Sequence, residues 1–359
     1  GMDVPDALFI FTRSLVILDN LRGSARLVIS VVVPEAASDV ALRTLYETAQ
    51  SELDTIVARL AAPSPLKPLS ADLKAKPVTG ESTYRQADFE RDVERIKEYI
   101  RAGDCFQALL ARRIDVKHDF DSTALYRTLR AINPSPYMFH LILDGMELVG
   151  SSPEILVRLS ESRVVVRPIA GTRPRGKNAE EDWQLSGELL ADQKERAEHV
   201  MLVDLGRNDV GRIAEYGSVE VTELMKVEKY SHVLHIVSQV EGRVRKGVSA
   251  LDVFRATFPA GTMTGAPKVR AMQIIDELEP TRRGPYAGAV GYIAGGAKRM
   301  DLAITIRTCV IHGGVASVQA GAGIVADSIP EREWEETENK AKAILSAIGA
   351  VRAGGSGER

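Results

Sequence analysis

Apolar positions recur along this chain with two different periods, and the switching between them predicts a mixed fold. Two apolar runs, Ala7 to Phe11 and Leu27 to Val33, enclose Leu15 to Leu18, which leads into Asp19-Asn20-Leu21-Arg22-Gly23, a strand and hairpin pattern over residues 6–33. Residues 38–60 read as a helix, with Ser38 as its cap and Leu42, Leu45, Ala49, Leu53, Ile56 and Leu60 on one face. Prolines 63, 65, 68 and 77 then interrupt a stretch without periodicity, residues 61–80, which predicts a linker.

Beyond the linker, Phe89, Val93, Ile96 and Ile100 predict a helix over 88–102, closed by Gly103. A strand over 106–116 and a helix near 122–132 follow, the latter stopped at Asn133-Pro134. Strands are predicted at 137–143, 146–149, 154–159 and 163–169, then a loop from Gly171 to Lys177 and acidic helices over 178–205. The second of these has Ala197, Val200, Met201 and Leu205 as its apolar stripe and Gly206 as its stop. Extended chain begins at Val219 and again over 231–244; helices are predicted at 249–258 and 266–278. Strands at 287–294, 302–311 and 315–320 read as a meander with Gly295-Gly296 and Gly313-Gly314 as its turns. A helix over 331–352 closes the fold, and Gly354-Gly355-Ser356-Gly357 reads as a flexible tail. This irregular succession of strands and helices argues for α+β, not a doubly wound sheet.

Composition narrows the classes. A net charge of −3 over 359 residues offers no basic stripe for nucleic acid or anionic membrane. No apolar run has membrane-spanning length, no signal peptide is apparent, and two isolated cysteines, Cys105 and Cys309, suit a reducing compartment. These features lead us to expect a soluble, cytoplasmic protein without a nucleic-acid or membrane partner.

Candidate chemistry begins with two carboxylate pairs. Glu195 and Glu198 are three apart on one helix, so they share a face, which we place away from its apolar stripe. Glu333 and Glu336 repeat the spacing at the start of the last helix. One such pair is an ordinary solvated face; two suggest helices facing each other across one Mg²⁺, a hard cation that takes a few carboxylate oxygens. Gly261-Thr262-Met263-Thr264-Gly265-Ala266-Pro267-Lys268 has the outline of a phosphate loop, but Pro267 precedes the lysine and Val269 stands where Ser or Thr must follow. A helix start with free amides is what remains, or simply a cap with Pro267 in the first turn. Gly321-Ala322-Gly323-Ile324-Val325-Ala326 fits a dinucleotide fingerprint only superficially, because Asp327-Ser328-Ile329-Pro330 blocks the helix that must follow. Its backbone amides are still an anion candidate. Arg307, inside the apolar strand Leu302 to Val310, reads either as a solvent-facing residue or as a carboxylate clamp, and the nearby glycine loops favour the clamp. His232 and His235, three apart in a strand, cannot share a face, so at most one serves a given site. Together these residues suggest a metal-assisted enzyme acting on a small, polyanionic substrate that is not a nucleotide.

Four stretches then carry a resemblance: Pro168 to Gly176, Ala197 to Asp204, Gly261 to Lys268 and Gln319 to Gly323. Together they resemble the chorismate-utilising enzymes, and more closely the large-subunit (component I) anthranilate synthases among them, over roughly residues 6–350. The resemblance implies an α+β fold with an antiparallel sheet framework wrapped by helices and the active site in its cleft. It implies ammonia as nucleophile, since members that add water carry a lysine where this chain has Gln107. Members with a covalent lysine carry it where this chain has Ala170. It further implies Glu198 and Glu336 as principal Mg²⁺ ligands supported by Glu195 and Glu333, Glu154 as general acid, and His235 as assistant to pyruvate elimination. Tyr286, Arg307, Gly321, Gly323 and Lys340 would hold the enolpyruvyl carboxylate, while Thr172 and the turn from Thr262 to Gly265 line the ring pocket. The implied substrates are chorismate and ammonia. The ammonia comes from a separate glutamine amidotransferase subunit (component II), because the chain has no glutaminase signature of its own. Residues 1–62 are then expected to be what is left of an amino-terminal subdomain, 63–80 a linker, 81–352 the catalytic domain and 353–359 a tail. Family members carry a longer amino-terminal segment with a tryptophan feedback motif, so feedback and the edges of the strands at 6–33 are the points of departure. Enzymes of the family that stop at 2-amino-2-deoxyisochorismate, those that make isochorismate or aminodeoxychorismate, and a non-catalytic chorismate-binding scaffold stay open as alternatives.

Overall fold

The computed structural model describes residues 2–230 and 233–355, so His232 and the end of the expected tail lie outside the described residues. The chain divides into a small unit, Pro5–Pro68, and a large one formed by Leu69 onward with the residues up to Val4. That boundary falls inside the proline-rich stretch. Residues beyond it are tied to the last helix: the Asp72 amide donates to the Ala350 carbonyl, and the Val78 amide to that of Leu345.

In the small unit, β1 (Ser14–Asp19) and β2 (Ser24–Ile29) form an antiparallel hairpin, followed by α1 (Asp39–Ala61). β1 contains the expected Leu15 to Leu18 segment, but β2 starts ahead of the run from Leu27, and 7–11 is not a strand. The turn decides this. Asp19 Oδ1 accepts the Leu21 and Arg22 amides at 3.1 and 3.0 Å, and Gly23 takes φ +61°, which starts β2 at Ser24. Ser38 caps α1 through the Ala41 amide, as its sequence position predicts.

The large unit runs β3 (Glu81–Ser82), α2 (Gln86–Arg101), β4 (Gln107–Lys117), α3 (Ser122–Ile132), β5 (Tyr137–Leu143), β6 (Met146–Ser152), β7 (Ile155–Ser160), β8 (Arg163–Val166) and β9 (Ile169–Pro174). It continues with α4 (Ala179–Ala191), α5 (Gln193–Gly211), β10 (Glu220–Lys229), β11 (Val233–Arg243), α6 (Ala250–Thr257), β12 (Gly265–Ala266) and α7 (Lys268–Leu278). The last elements are β13 (Ala289–Ala294), β14 (Arg299–Ile304), β15 (Thr308–His312), β16 (Val315–Ile324) and α8 (Pro330–Gly355). Among the described residues the strands make two seven-stranded sheets in which every pairing is antiparallel. One has the order β10-β11-β8-β7-β14-β13 with β9 also on β11; the other β12-β4-β16-β15-β6-β5 with β3 also on β4. Helices α5 and α6 cover the first through Val203, Val210 and Val253. Helices α3 and α8 cover the second through Leu125, Leu129, Ile344 and Ile348. The expected α+β framework of antiparallel sheets wrapped by helices is therefore what the chain forms.

The chain changes sheets at several points, and two of these matter most: from the second sheet to the first between β6 and β7, and from the first to the second between β14 and β15. The expected meander over 287–320 is thus two hairpins in different sheets, and the single strand over 302–311 is two strands with a break at Thr305-Ile306-Arg307. These crossings lie side by side. The Ile304 amide donates to the Glu154 carbonyl at 3.0 Å, the Ser151 amide to the Arg307 carbonyl at 3.0 Å, and the Ser152 hydroxyl to the Ile304 carbonyl at 2.7 Å.

Helix α5 departs most from its sequence pattern. It does not stop at Gly206 but runs to Gly211, and its buried residues are His199, Leu202, Val203, Asp209 and Val210. Ala197 and Val200 face out. Glu195 and Glu198 lie on the same side as Leu202 and Leu205, not opposite the inward face, because a buried histidine and aspartate hide the true stripe. Asp209 is held by Lys268, whose Nζ lies 2.8 Å from Oδ2, with side-chain exposures of 7 and 10%. Lys268→Met should leave that carboxylate buried and unpaired, costing about 3–5 kcal/mol. Chemical denaturation would show this as an unchanged slope with an earlier midpoint, and an unmoved midpoint would refute it.

Candidate active site

The two crossings deliver Glu154 and Arg307 to one place. Glu154 is buried, and its Oε1 accepts a hydrogen bond from the Thr262 hydroxyl at 2.8 Å. Burial pushes its carboxyl up to about 7, against the opposing effects of the Thr262 hydroxyl and the charges of Lys340 and Arg307. Near neutral pH it is therefore poised to give up a proton. Arg307 occupies the break between β14 and β15 with φ +50°, a left-handed conformation rare for a residue with a side chain. Among the described residues its guanidinium has no ion-pair or hydrogen-bond partner, and burial lowers its hold on the proton despite Tyr286, Glu336 and Glu154 nearby. A cation withdrawn from water and left unpaired is a seat for an anion. Tyr286 is buried beside it, its phenol pushed up by burial.

The glycines of β16 supply neutral donors. From Gln319 to Ile324, β16 pairs only with β4, because β15 ends its pairing at Val318. Opposite Gly323 and Gly321, the Leu109 and Ala111 amides point away from β16, to the Thr264 carbonyl and to Glu279. In an antiparallel pair, opposed residues turn their polar groups the same way relative to the partner strand. Gly321 and Gly323 therefore direct theirs away from β4, and Lys340 Nζ meets the Gly321 carbonyl there at 2.9 Å. Gly323 also leaves room: a Cβ on it would lie 2.4 Å from Gln107 Nε2. Gly265, at φ +141°, lets its loop close on β4, where a Cβ would sit 2.1 Å from the Gln107 carbonyl oxygen. A buried pair braces this loop, Arg283 donating to the Met263 and Leu109 carbonyls and to Glu279. Lys268, which ends the glycine motif, turns to Asp209 and is no phosphate ligand.

His235 stands on β11 with Nδ1 at 2.8 Å from the Gly171 carbonyl oxygen and 3.2 Å from the Thr172 hydroxyl. A carbonyl only accepts, so Nδ1 carries the proton and Nε2 keeps its lone pair. Burial lowers the imidazole's basicity, which keeps it neutral.

The four glutamates come within electrostatic reach of one another. Burial raises Glu198, opposed by the Gln107 amide, and the charges of Glu195 and Glu336 add to the rise. Burial likewise raises Glu333, opposed by the Ser328 hydroxyl, and Glu336 adds to it. Yet each has another partner. Gln107 Nε2 donates to Glu198 at 3.0 Å, Arg173 to Glu195 at 3.1 Å, and Lys340 pairs with Glu336 at 2.6 Å. Among the described residues no three such groups lie close enough to enclose an ion as they stand. The donor set, all carboxylate and mutually repelling, still fits a hard divalent cation, provided Glu336 leaves Lys340.

All fifteen sequence-derived candidates thus fall on the two crossings, on β4, β9, β11 and β16, on the loops around Thr262 and Tyr286, or on the facing turns of α5 and α8. Sequence reading missed Arg173, which also bonds Asp192, and the buried His199. Nothing in the pattern pointed to either, because the apolar stripe read from the sequence put His199 on the outward face.

The family model described as chorismate binding enzyme matches residues 2–346. The chain belongs to that family. It is 49% identical over 351 residues to anthranilate synthase component 1 of Acinetobacter calcoaceticus, covering 96% of this chain and 68% of that protein. It is 51% identical over 343 residues to the same component of Aquifex aeolicus, covering 96% and 68%. The crystal structure of anthranilate synthase component I from Streptococcus pneumoniae TIGR4 superposes with a TM-score of 0.82 at 40% identity, over 93% of this chain and 72% of that one. Among the described residues no helix is long and apolar enough to cross a membrane.

Proposed function

We propose that this chain acts as an anthranilate synthase component I, turning chorismate and ammonia into anthranilate, pyruvate and water. The observation that carries the reading is Gln107. It is a neutral amide bonded to Glu198, so the site has no base there to activate water. Ala170 on β9 likewise offers no amine at the position where covalent members carry their lysine. Ammonia reaches the site from a glutamine amidotransferase partner.

The residues divide the work. Arg307, Lys340, Tyr286 and the amides of Gly321 and Gly323 hold the enolpyruvyl carboxylate. Glu154 gives its proton to the C4 hydroxyl, which leaves as water while ammonia bonds to C2 and the ring double bonds shift, and the ammonium so formed loses its surplus proton to solvent. His235 Nε2 then removes the C2 proton, the bond from C3 to the enolpyruvyl oxygen breaks, and the ring becomes aromatic as the enolate departs and takes up a proton at its methylene carbon to become pyruvate. A magnesium ion held by Glu198 and Glu336, with Glu195 and Glu333 behind them, would supply positive charge for the ring carboxylate.

Incubation with chorismate, ammonium and Mg²⁺, followed by anthranilate fluorescence and pyruvate release, tests the reading. Both products should appear together. An amino product without pyruvate would replace the reading with an enzyme that stops at 2-amino-2-deoxyisochorismate, and no turnover would refute it. His235→Ala should slow pyruvate release by about 10²–10⁴-fold while the amino intermediate accumulates. Equal loss of both steps in a quenched-flow time course would remove His235 from its role.

A further inference from the structure

Helix α5 carries two of the four glutamates, and something must fix its rotation and height over β11. Its inward face is apolar at Leu202, Val203 and Val210, yet His199, next to Glu198, is wholly buried on the same face. The ring nitrogen Nε2 lies 2.6 Å from the Ser238 hydroxyl, and among the described residues Nδ1 has no hydrogen-bond partner. Ser238 is also wholly buried and sits three residues after His235 on β11. The same hydroxyl accepts the Met225 amide at 2.9 Å, at a break in the pairing of β10 with β11 where Met225 takes φ +53°. One oxygen thus joins α5, β10 and β11. Glu195 also approaches β9 closely, since a Cβ added at Gly171 would lie 3.2 Å from its Oε2, and the Gly171 carbonyl is what orients His235. Any shift of α5 on β11 therefore changes the placement of Glu195 and Glu198 relative to His235.

We propose that His199 is a positioning residue whose hydrogen bond to Ser238 fixes the carboxylates of α5 against the strand that carries His235. The proposal rests on the function proposed above. Leucine at this position would fill the space and match the apolar neighbours, so packing alone gives no reason for an imidazole. What leucine lacks is a polar atom at the reach of Nε2. Glutamine places its terminal amide at about that reach, and asparagine stops at the reach of Nδ1.

The test compares the full chain with His199→Leu, His199→Gln, His199→Asn and Ser238→Ala. Chorismate turnover, Mn²⁺ binding by electron paramagnetic resonance and thermal unfolding are measured on each. Leu, Asn and the Ser238 variant should weaken Mn²⁺ binding and lower kcat by about 10–100-fold, the usual effect of losing an outer partner of a metal site. Their melting transitions should stay cooperative, and His199→Gln should recover most of both losses. If Leu binds Mn²⁺ and turns over like the parent, or Gln and Leu lose equally, the proposal is overturned. Should His199→Leu fail to fold, Ser238→Ala decides between the same two outcomes. A parent chain that binds Mn²⁺ without converting chorismate defeats the function proposal, and the Mn²⁺ series still judges His199.

Discussion

Glu154→Gln should lower kcat by about 10³-fold, within the range that a positioned general acid contributes. Glutamine keeps the volume and can still meet the Thr262 hydroxyl, but it has no proton to give. The pH profile separates this from a folding defect. Burial puts the Glu154 carboxyl at about 7, so parent activity should fall as pH rises through that value and the acid loses its proton. The variant's residual rate should be flat there. Substrate makes the argument sharper. Lys340 and Arg307 both pull the carboxyl down, and bound carboxylates would neutralise them. The alkaline limb of kcat, which reports the complex, should therefore lie above that of kcat/KM, which reports the free enzyme. Stability runs the other way. A carboxyl raised from 4.5 to about 7 stabilises the fold below 4.5, and that contribution is lost as pH rises through 7. At pH 8 the Gln variant should thus melt no earlier than the parent. A folded variant that keeps the parent's rate and its alkaline fall would remove Glu154 from the mechanism.

Glu336→Gln should abolish the Mg²⁺-dependent part of the rate, a loss of about a hundredfold or more, since removing a ligand costs at least what removing an outer partner does. The structure gives this experiment two distinguishable outcomes. Glu336 is bonded to Lys340 at 2.6 Å and is exposed, while its charge helps raise both Glu198 and Glu333. If Glu336 leaves Lys340 to bind the ion, a Mg²⁺ titration of the variant should need far more metal, and KM for chorismate should change less. If it serves only as counter-ion to Lys340, the Mg²⁺ requirement should stay put and KM alone should move. That second result would dismiss Glu336 as a ligand and leave Glu198 to be tested in its place.

The sequence by itself determined most of the helices and many of the strands, because caps, breakers and apolar period are local, though it misjudged 7–11, 302–311 and the end of α5. Ser38 and Ser249 cap the helices they precede, Ile132 ends α3 before Asn133-Pro134, and Glu195 with Glu198 share a helix face at any rotation of that helix. The resemblance of four short stretches carried the fold and the family, and both stand. Periodicity could not say which sheet a strand joins. An apolar strand looks alike in either, so the run from Leu302 to Val310 reads as one element although the chain changes sheets at Arg307. That change gives Arg307 its left-handed backbone, sets it beside Glu154, and leaves its guanidinium without an ion-pair partner among the described residues. Periodicity likewise reports apolar faces only, so it misplaced the inward side of α5, where His199 and Asp209 are buried against Ser238 and Lys268. Burial of a polar group depends on a partner distant in sequence, and only the tertiary structure brings that partner to it.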